Sequence, residues 1–284
     1  MPEKITAFFK KYSFIFLIII LLFIFKILTR SPEVAARSIP VSHSLIIESH
    51  PETSETETVP ESEPQETESE TETTEPPESV MIEDVPYYSQ AGLLPTGCEI
   101  VSAKMLLEYY TKQEIDIHKI IDLLDCQYPE DVDGVTCAPH PEDAFIGIPE
   151  ESSGFGCFAP IIVKALNQLL PKEYKAVDIS GFDLQEIAET YLPQGKPVLV
   201  WATIYLWEPH EYLGWYLVDD KGKPTDEWYD WLANEHCMVL VGYDADYYYF
   251  NDPYDSNGLI SFSREKTEKR FAQIGKYAAV VTEK

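Results

Sequence analysis

Basic residues are scarce in this chain. Lys and Arg together number 21 against 49 Asp and Glu, so the formal net charge is −28 over 284 residues. Residues 81–284 contain 35 of the acids and 15 of the bases, a net charge of −20. Because no basic stripe is left to meet phosphates or anionic lipid, the composition predicts no nucleic-acid partner and no electrostatic docking on anionic surfaces.

Cysteine is also scarce, and its spacing does not match the common zinc motifs. The chain has five cysteines, with no CxxC pair and no cluster with histidine. An odd number leaves at least one thiol unpaired in a monomer, and an unpaired thiol is a candidate nucleophile. We expect no metal and no organic cofactor. The cysteines are Cys98, Cys126, Cys137, Cys157 and Cys237.

Long apolar runs are absent except at 12–29, where Lys26 is the one charged residue. A helix of that length spans about 27 Å, roughly the hydrocarbon core of a bilayer. Three lysines precede the run, which predicts a cytoplasmic N-terminus and a transmembrane signal-anchor within residues 1–30. The rest of the chain is then outside the cell, held at the plasma membrane by a single pass. Small residues at 34–36 leave signal-peptide cleavage, and hence secretion, as the alternative.

Residues 31–80 are predicted to be a disordered acidic spacer. Between 51 and 79 there are eleven Glu and no Lys, Arg or aromatic residue. Such a segment buries too little apolar surface to offset its ordering entropy, and its charges repel one another. The remaining residues, 81–284, are enough for one globular domain and contain no repeat typical of a solenoid.

Hydrophobic periodicity in residues 81–284 predicts helices first and antiparallel strands later, which is typical of an α+β fold. A first helix starts after Gly97, and a long loop rich in Gly, Pro and acids covers 127–159. The further predicted helices are 118–124, 160–170, 183–191 and 263–273, and the predicted strands are 81–88, 197–204, 236–243, 247–251 and 277–282.

Cys98 opens the first predicted helix. There, a thiolate faces the positive end of the helix dipole and the free N–H groups of the first turn, which lower the pKa of a thiol. With a histidine and an acid far downstream, this position favours a nucleophile over a buried structural cysteine.

His236 and Asp252 are predicted to meet across a hairpin. If Tyr243-Asp244-Ala245 formed a three-residue loop, His236 would lie directly opposite Asp252 on one face of the sheet. Taken singly, the histidine fits a core position and the acid fits a turn. As a pair, they favour a general base and its orienting acid.

Several blocks of the domain resemble a known family. They are similar to the stand-alone relatives of the bacteriocin-processing, double-glycine-leader peptidases, family thirty-nine of the cysteine peptidases. The transporter-linked members usually read Asp-Cys-Gly where this chain reads Gly-Cys-Glu. The blocks are VPYYSQ (85–90), PTGCEIVSAKMLLEYY (95–110), AFIGIPEESSGFGCFAP (144–160) and EHCMVLVGYD (235–244) with NDP (251–253).

The resemblance covers about residues 85–281 and implies a papain-like fold, with the nucleophile at a helix start and the histidine and acid on the C-terminal antiparallel sheet. It implies Cys98 as nucleophile, His236 as base and Asp252 as orienting acid. It also implies that Gln90 donates a hydrogen bond to the oxyanion.

Together these residues predict a cell-surface cysteine peptidase that hydrolyses peptide bonds in a peptide or protein substrate. A cell-wall peptide endopeptidase is the alternative within the same chemistry. A non-catalytic surface peptide-binding module or adhesin is the alternative from another class. Among the remaining residues, Cys237 is expected in the core, and His210 is expected with Trp207 and Trp215 at the cleft wall or in the core.

Overall fold

The structure is a computed structural model that describes residues 76–284 apart from 255 and 257. The predicted signal-anchor, 1–30, and the predicted spacer up to residue 75 lie outside the described residues. Within the described part of the chain, every helix is too short or too polar to cross a bilayer.

Five α-helices occur in the described residues, and they confirm the five predicted helices. The first ends where Lys112 adopts a left-handed conformation with φ of 53°. The third carries Pro160 in its first turn, where a missing N–H leaves no bond unmade. They are α1 (Cys98–Thr111), α2 (His118–Ile121), α3 (Ala159–Leu169), α4 (Leu184–Tyr191) and α5 (Arg264–Ile274).

Thirteen strands occur in the same residues, more than the sequence pattern predicts. They are β1 (Val80–Met81), β2 (Cys126–Gln127), β3 (Glu130–Val132), β4 (Val135–Ala138), β5 (Phe145–Ile146), β6 (Tyr174–Asp178), β7 (Val198–Thr203), β8 (His210–Val218), β9 (Pro224–Ala233), β10 (Glu235–Tyr243), β11 (Tyr247–Asn251), β12 (Leu259–Ser263) and β13 (Ala278–Glu283).

The main sheet is antiparallel throughout and has the order β12-β11-β10-β7-β13-β6, with β1 pairing the last two residues of β10. In the two central strands, β7 and β10, side chains alternate between two cores. Trp201 and Val239 face the core that includes α1 and α3. Val200 and Met238 face a second core against α4. Because helices cover both faces, β7 and β10 are buried along their whole length and read as continuous apolar runs.

A second sheet has the order β3-β4-β8-β9, and its long hairpin β8–β9 was not apparent in the sequence. Most of the hairpin's residues are exposed or half-buried, so the strands lack the apolar alternation that marks a half-buried sheet. The predicted loop 127–159 contains β3, β4 and β5, and β4 joins this sheet by pairing in parallel with β8.

The predicted strand at 81–88 is wrong beyond Met81. Pro86 lacks an N–H for a strand ladder, and this part of the chain bonds instead to the last residue of β11 and to the turn after it. The side-chain amide of Asn251 donates to the carbonyl of Val85 over 3.1 Å, and the N–H of Gln90 donates to the carbonyl of Pro253 over 2.9 Å.

The predicted three-residue hairpin loop between β10 and β11 is also wrong. Tyr243 pairs with Tyr248, and Oδ1 of Asp244 accepts the N–H groups two and three residues later at 2.9 and 2.8 Å. A bulge further along β10 shifts the register again, so that Val239 lies opposite Asn251. Beyond the bulge, on the side of His236, the two strands are therefore displaced by two residues from the predicted register. An even displacement leaves the same side chains on each face.

Candidate active site

A cleft of about 350 Å³ brings together three of the four residues that the sequence singled out. Gln90, Cys98 and His236 line it, and Asp252 lies behind His236. A larger depression of about 600 Å³ lies beside α4, but its lining has no cysteine or histidine and so offers no nucleophile or imidazole base. Aromatic side chains form much of the cleft wall, namely Phe155, Tyr212, Trp231 and Tyr254.

Cys98 is the first residue of α1 and is 6% exposed. Its Sγ donates to Oε2 of Glu99 over 3.2 Å and accepts the backbone N–H of Cys237 over 3.4 Å. No hydrogen bond joins Sγ to the imidazole of His236 among the described residues. The thiol and the imidazole thus line one cleft without a hydrogen bond between them.

His236 is held by Asp252. Its Nε2 lies 2.6 Å from Oδ1 of Asp252, and both side chains are 1% exposed. The same carboxylate oxygen accepts the N–H of Tyr254 over 2.8 Å, and the ring of Tyr254 meets the imidazole edge to face at 5.9 Å. With Nε2 engaged, Nδ1 is the ring nitrogen left for proton transfer.

Gln90 also lines the cleft. Its Nε2 donates to the carbonyl oxygens of Leu94 and Pro95 over 3.4 and 3.2 Å, and its buried Oε1 has no partner among the described residues. The amide N–H groups therefore have to leave these carbonyls to reach a bound oxyanion. A second donor is at hand, because N–H groups in the first turn of a helix have no intrahelical acceptor and Cys98 is the first residue of α1.

Two buried acids beside Cys98 were missed as site residues. Glu99 is 0% exposed and its Oε1 accepts the N–H of Cys157 over 2.8 Å, whereas Glu235 is 8% exposed and its Oε1 has no partner among the described residues. One atom each from Cys98, Glu99 and Glu235 lie within 4.8 Å of one another. The signals were a Glu directly after the cysteine, in Gly-Cys-Glu, and a Glu directly before His236.

Burial raises the pKa of the Cys98 thiol well above its ordinary value, and the carboxyls of Glu99 and Glu235 raise it further. The expected lowering by the helix start is therefore wrong for the resting site. A helix N-terminus contributes about 0.3–1 kcal/mol, less than the ~1.4 kcal/mol that corresponds to one pH unit. Burial can shift a pKa by up to about 3–5 pH units. Burial also raises the pKa of both carboxyls, that of Glu99 to about 7, and the charge of Glu99 raises the pKa of Glu235 further.

The other expected residues lie in the cleft, in the core and, for Trp207, at the surface. His210 lines the cleft. Trp215 is buried and Trp207 is exposed, so neither tryptophan is part of the cleft wall. Cys237 is fully buried, as expected. All five cysteines are free thiols.

Residues 82–279, about the span of the described domain, match the model of the Peptidase_C39 like family. The chain belongs to this family. The chain is also similar to the uncharacterized protein YvpB of Bacillus subtilis (strain 168), which is 26% identical over 213 residues, 70% of this chain and 74% of YvpB.

One solved structure bears out the C39-like fold. A Bacillus anthracis protein described as a C39-like peptidase superposes with a TM-score of 0.62 and 28% identity, over 73% of this chain and 99% of that one. A double glycine motif protease from an AMS/PCAT transporter, solved with a leader peptide, superposes with a TM-score of 0.40 and 15% identity. The match covers 74% of this chain and 99% of that one. The predicted α+β, papain-like cysteine-peptidase fold and the predicted family resemblance are confirmed.

Proposed function

We propose that this C39-like protein is a cysteine peptidase that hydrolyses peptide bonds with Cys98, His236 and Asp252. The observation that carries the proposal is the 2.6 Å contact between His236 Nε2 and Asp252 Oδ1, in a cleft that Cys98 also lines. A carboxylate behind an imidazole fixes its tautomer and orientation, and that arrangement is typical of Cys/His hydrolases.

The reaction begins from a protonated thiol. When a peptide enters the cleft, Nδ1 of His236 accepts the proton of Cys98 and Sγ attacks the carbonyl carbon. The imidazole then protonates the leaving amine as the C–N bond breaks. Water, deprotonated by the same imidazole, hydrolyses the thioester and restores the thiol. Asp252 stabilises the imidazolium throughout without taking its proton.

The carbonyl oxygen becomes an oxyanion in both halves of the reaction. Two donors are close to Cys98 for this task, its own backbone N–H and the side-chain amide of Gln90. Hydrogen bonds that strengthen as the negative charge develops lower the barrier more than they tighten substrate binding.

The location outside the membrane remains part of the proposal. It is supported by the apolar run at 12–29 and the lysines before it. We expect the C39-like domain of intact cells to be cleaved by an added protease and labelled by a membrane-impermeant reagent. Labelling only after lysis would contradict an outward-facing domain.

The test of the activity is digestion of an unbiased peptide library by the full chain in detergent, with Cys98→Ala as the control. Peptides cleaved by the wild type and left whole by Cys98→Ala support the proposal. Equal digestion by both proteins would contradict it. If purified sacculi release soluble fragments while the library stays intact, the substrate is a wall peptide instead.

A further inference from the structure

The acids beside Cys98 form a cluster that the peptidase mechanism does not use. Sγ of Cys98 lies 3.2 Å from Oε2 of Glu99, and an oxygen of Glu235 completes a set of three atoms within 4.8 Å of one another. The three come from two elements, the start of α1 and the start of β10. A cysteine and two carboxyls are thus brought together at the cleft floor.

No Lys or Arg pairs with this cluster in the described part of the chain, and the titratable base that acts on it is His236, whose charge lowers the pKa of Glu99. Neither carboxyl has a Lys or Arg partner there, and Glu99 makes its hydrogen bonds to a thiol and the N–H of Cys157. Glu235 is 8% exposed, and its Oε1 is without a partner among the described residues. Buried carboxylates without a cation are costly, so such groups either hold protons or bind a metal.

The space around the carboxyls is kept open by Gly156. A Cβ at this position would overlap Oε1 of Glu99 and approach Oε2 of Glu235 to 3.4 Å. Cys98 and Glu235 also line the cleft, so an ion reaches them from solvent. One coordination position can then be filled by water.

The donor set points to zinc among the divalent cations. Thiolate sulfur and carboxylate oxygen bind Zn²⁺ at about 2.3 and 2.0–2.2 Å in tetrahedral sites, whereas Ca²⁺ and Mg²⁺ take oxygen ligands. Tetrahedral bonds of those lengths separate sulfur from oxygen by ~3.5 Å. The 3.2 Å between Cys98 Sγ and Glu99 Oε2 is close to that separation.

We propose that Cys98, Glu99 and Glu235 bind one Zn²⁺ at the cleft floor and that the bound ion blocks Cys98 as a nucleophile. The block is reversible, since removing the metal returns the thiol. Binding displaces the thiol proton and any proton on the carboxyls. The inhibition rests on the proposed peptidase function, but the metal binding does not.

The test is a calorimetric titration of the metal-free, reduced full chain with Zn²⁺, in buffers of different ionisation enthalpy. We expect one equivalent to bind with release of at least one proton. Co²⁺ in place of Zn²⁺ should give a thiolate-to-metal charge-transfer band that Cys98→Ser lacks. Absence of saturable binding by the wild type overturns the proposal.

Four variants assign the ligands. Glu99→Gln and Glu235→Gln should each raise the Zn²⁺ dissociation constant at least about tenfold, by analogy with the effect of losing metal-site groups. Cys126→Ser removes a half-buried thiol outside the cluster and should leave affinity unchanged. His236→Ala should change it little. Unchanged affinity in Glu235→Gln, or a loss confined to His236→Ala, overturns the site.

Turnover is measured separately. Added Zn²⁺ should stop peptide cleavage by the wild type, and a chelator should restore it. Because the binding titration uses no substrate, a protein that binds Zn²⁺ yet cleaves no peptide would refute the proposed function and leave the metal site standing. A peptidase that Zn²⁺ does not inhibit would refute the block.

Discussion

Nε2 of His236 lies 2.6 Å from Oδ1 of Asp252, although the two residues are not cross-strand partners. β11 ends at Asn251, and its partner on β10 is Val239. Extending that register places Asp252 diagonally across from His236 on the same face. Diagonal neighbours in a sheet are close enough for side chains to meet. The imidazole is thus oriented by a contact across two strands of a buried sheet.

Replacing Asp252 should impair catalysis without abolishing it. Asp252→Ala leaves the imidazole free to rotate and to adopt the wrong tautomer, so we expect kcat to fall by about 10²–10⁴-fold. KM should change less, because the carboxylate supplies no uniform binding energy. The measurement is steady-state kinetics on one cleaved peptide, with circular dichroism to confirm folding.

The controls for this prediction are a double variant and a surface acid. Cys98→Ala/Asp252→Ala should be no slower than Cys98→Ala, because the losses of activity caused by replacing residues that act as a unit are not additive. Asp226→Ala, at an exposed position of β9, should keep wild-type kinetics. Near-wild-type turnover by folded Asp252→Ala would remove the acid from the proposed triad.

Gln90 is expected to act in the transition state. Gln90→Ala removes one oxyanion donor, which should lower kcat by about 10²–10³-fold with a smaller effect on KM. Gln90→Glu keeps the shape of the side chain and replaces the donor by an acceptor, so it should be no faster than Gln90→Ala. If both folded variants keep the wild-type kcat, the side chain has no such role.

The sequence could predict residue types and faces at this site, but not contacts that depend on distant segments. The helix start at Cys98 and the shared face of His236 and Asp252 follow from local periodicity. The loop length and the bulge in β10 depend on hydrogen bonds of Asp244 and on packing, so the register was wrong by two residues. The raised thiol pKa comes first from burial, which depends on tertiary packing, and in smaller part from Glu99 and from Glu235, which lies far from Cys98 in sequence.

The exposed hairpin β8–β9 could not be predicted from the sequence either, for a different reason. Its strands are held by pairing with each other and with β4, and only a few residues such as Trp215 and Trp231 are buried. A period-two pattern arises from burial on one face, so a strand with little burial carries a weak signal.

Gly156 should be intolerant of a side chain. Its φ is +148°, and a Cβ would overlap the carboxyl of Glu99. We expect Gly156→Ala to lower the free energy of unfolding by about 2–3 kcal/mol. Gly134→Ala is the control, since φ is +85° there and the added Cβ meets nothing within 4 Å. It should cost about 1 kcal/mol. Equal losses in urea unfolding would show that the carboxyl contact is unimportant.

Glu108 should contribute stability that is lost in acid. Burial raises its pKa, but hydrogen bonds from the N–H of Ile115, the ammonium of Lys104 and the hydroxyl of Tyr88 outweigh this, and the net pKa is lowered. A lowered folded-state pKa means that the stabilisation is complete above the unfolded value of about 4.3 and disappears as pH falls through the folded value.

The measurement is the free energy of unfolding in urea between neutral pH and the acid range. Glu108→Gln should be less stable than the wild type at neutral pH, with the difference shrinking as pH falls below about 4.3. Glu114→Gln, at an exposed position after α1, is the matched control and should follow the wild-type curve. A difference independent of pH would mean that the carboxylate charge does not matter.

The proposed mechanism requires Cys98 to form a covalent bond to the substrate. Its direct test is an acid-quenched single turnover of a cleaved peptide by the full chain, followed by mass spectrometry of the protein. We predict an acyl group on Cys98 as a thioester, formed by the wild type and absent from His236→Ala. Peptide cleavage by folded Cys98→Ala, or turnover by the wild type with no adduct at Cys98, would contradict the account.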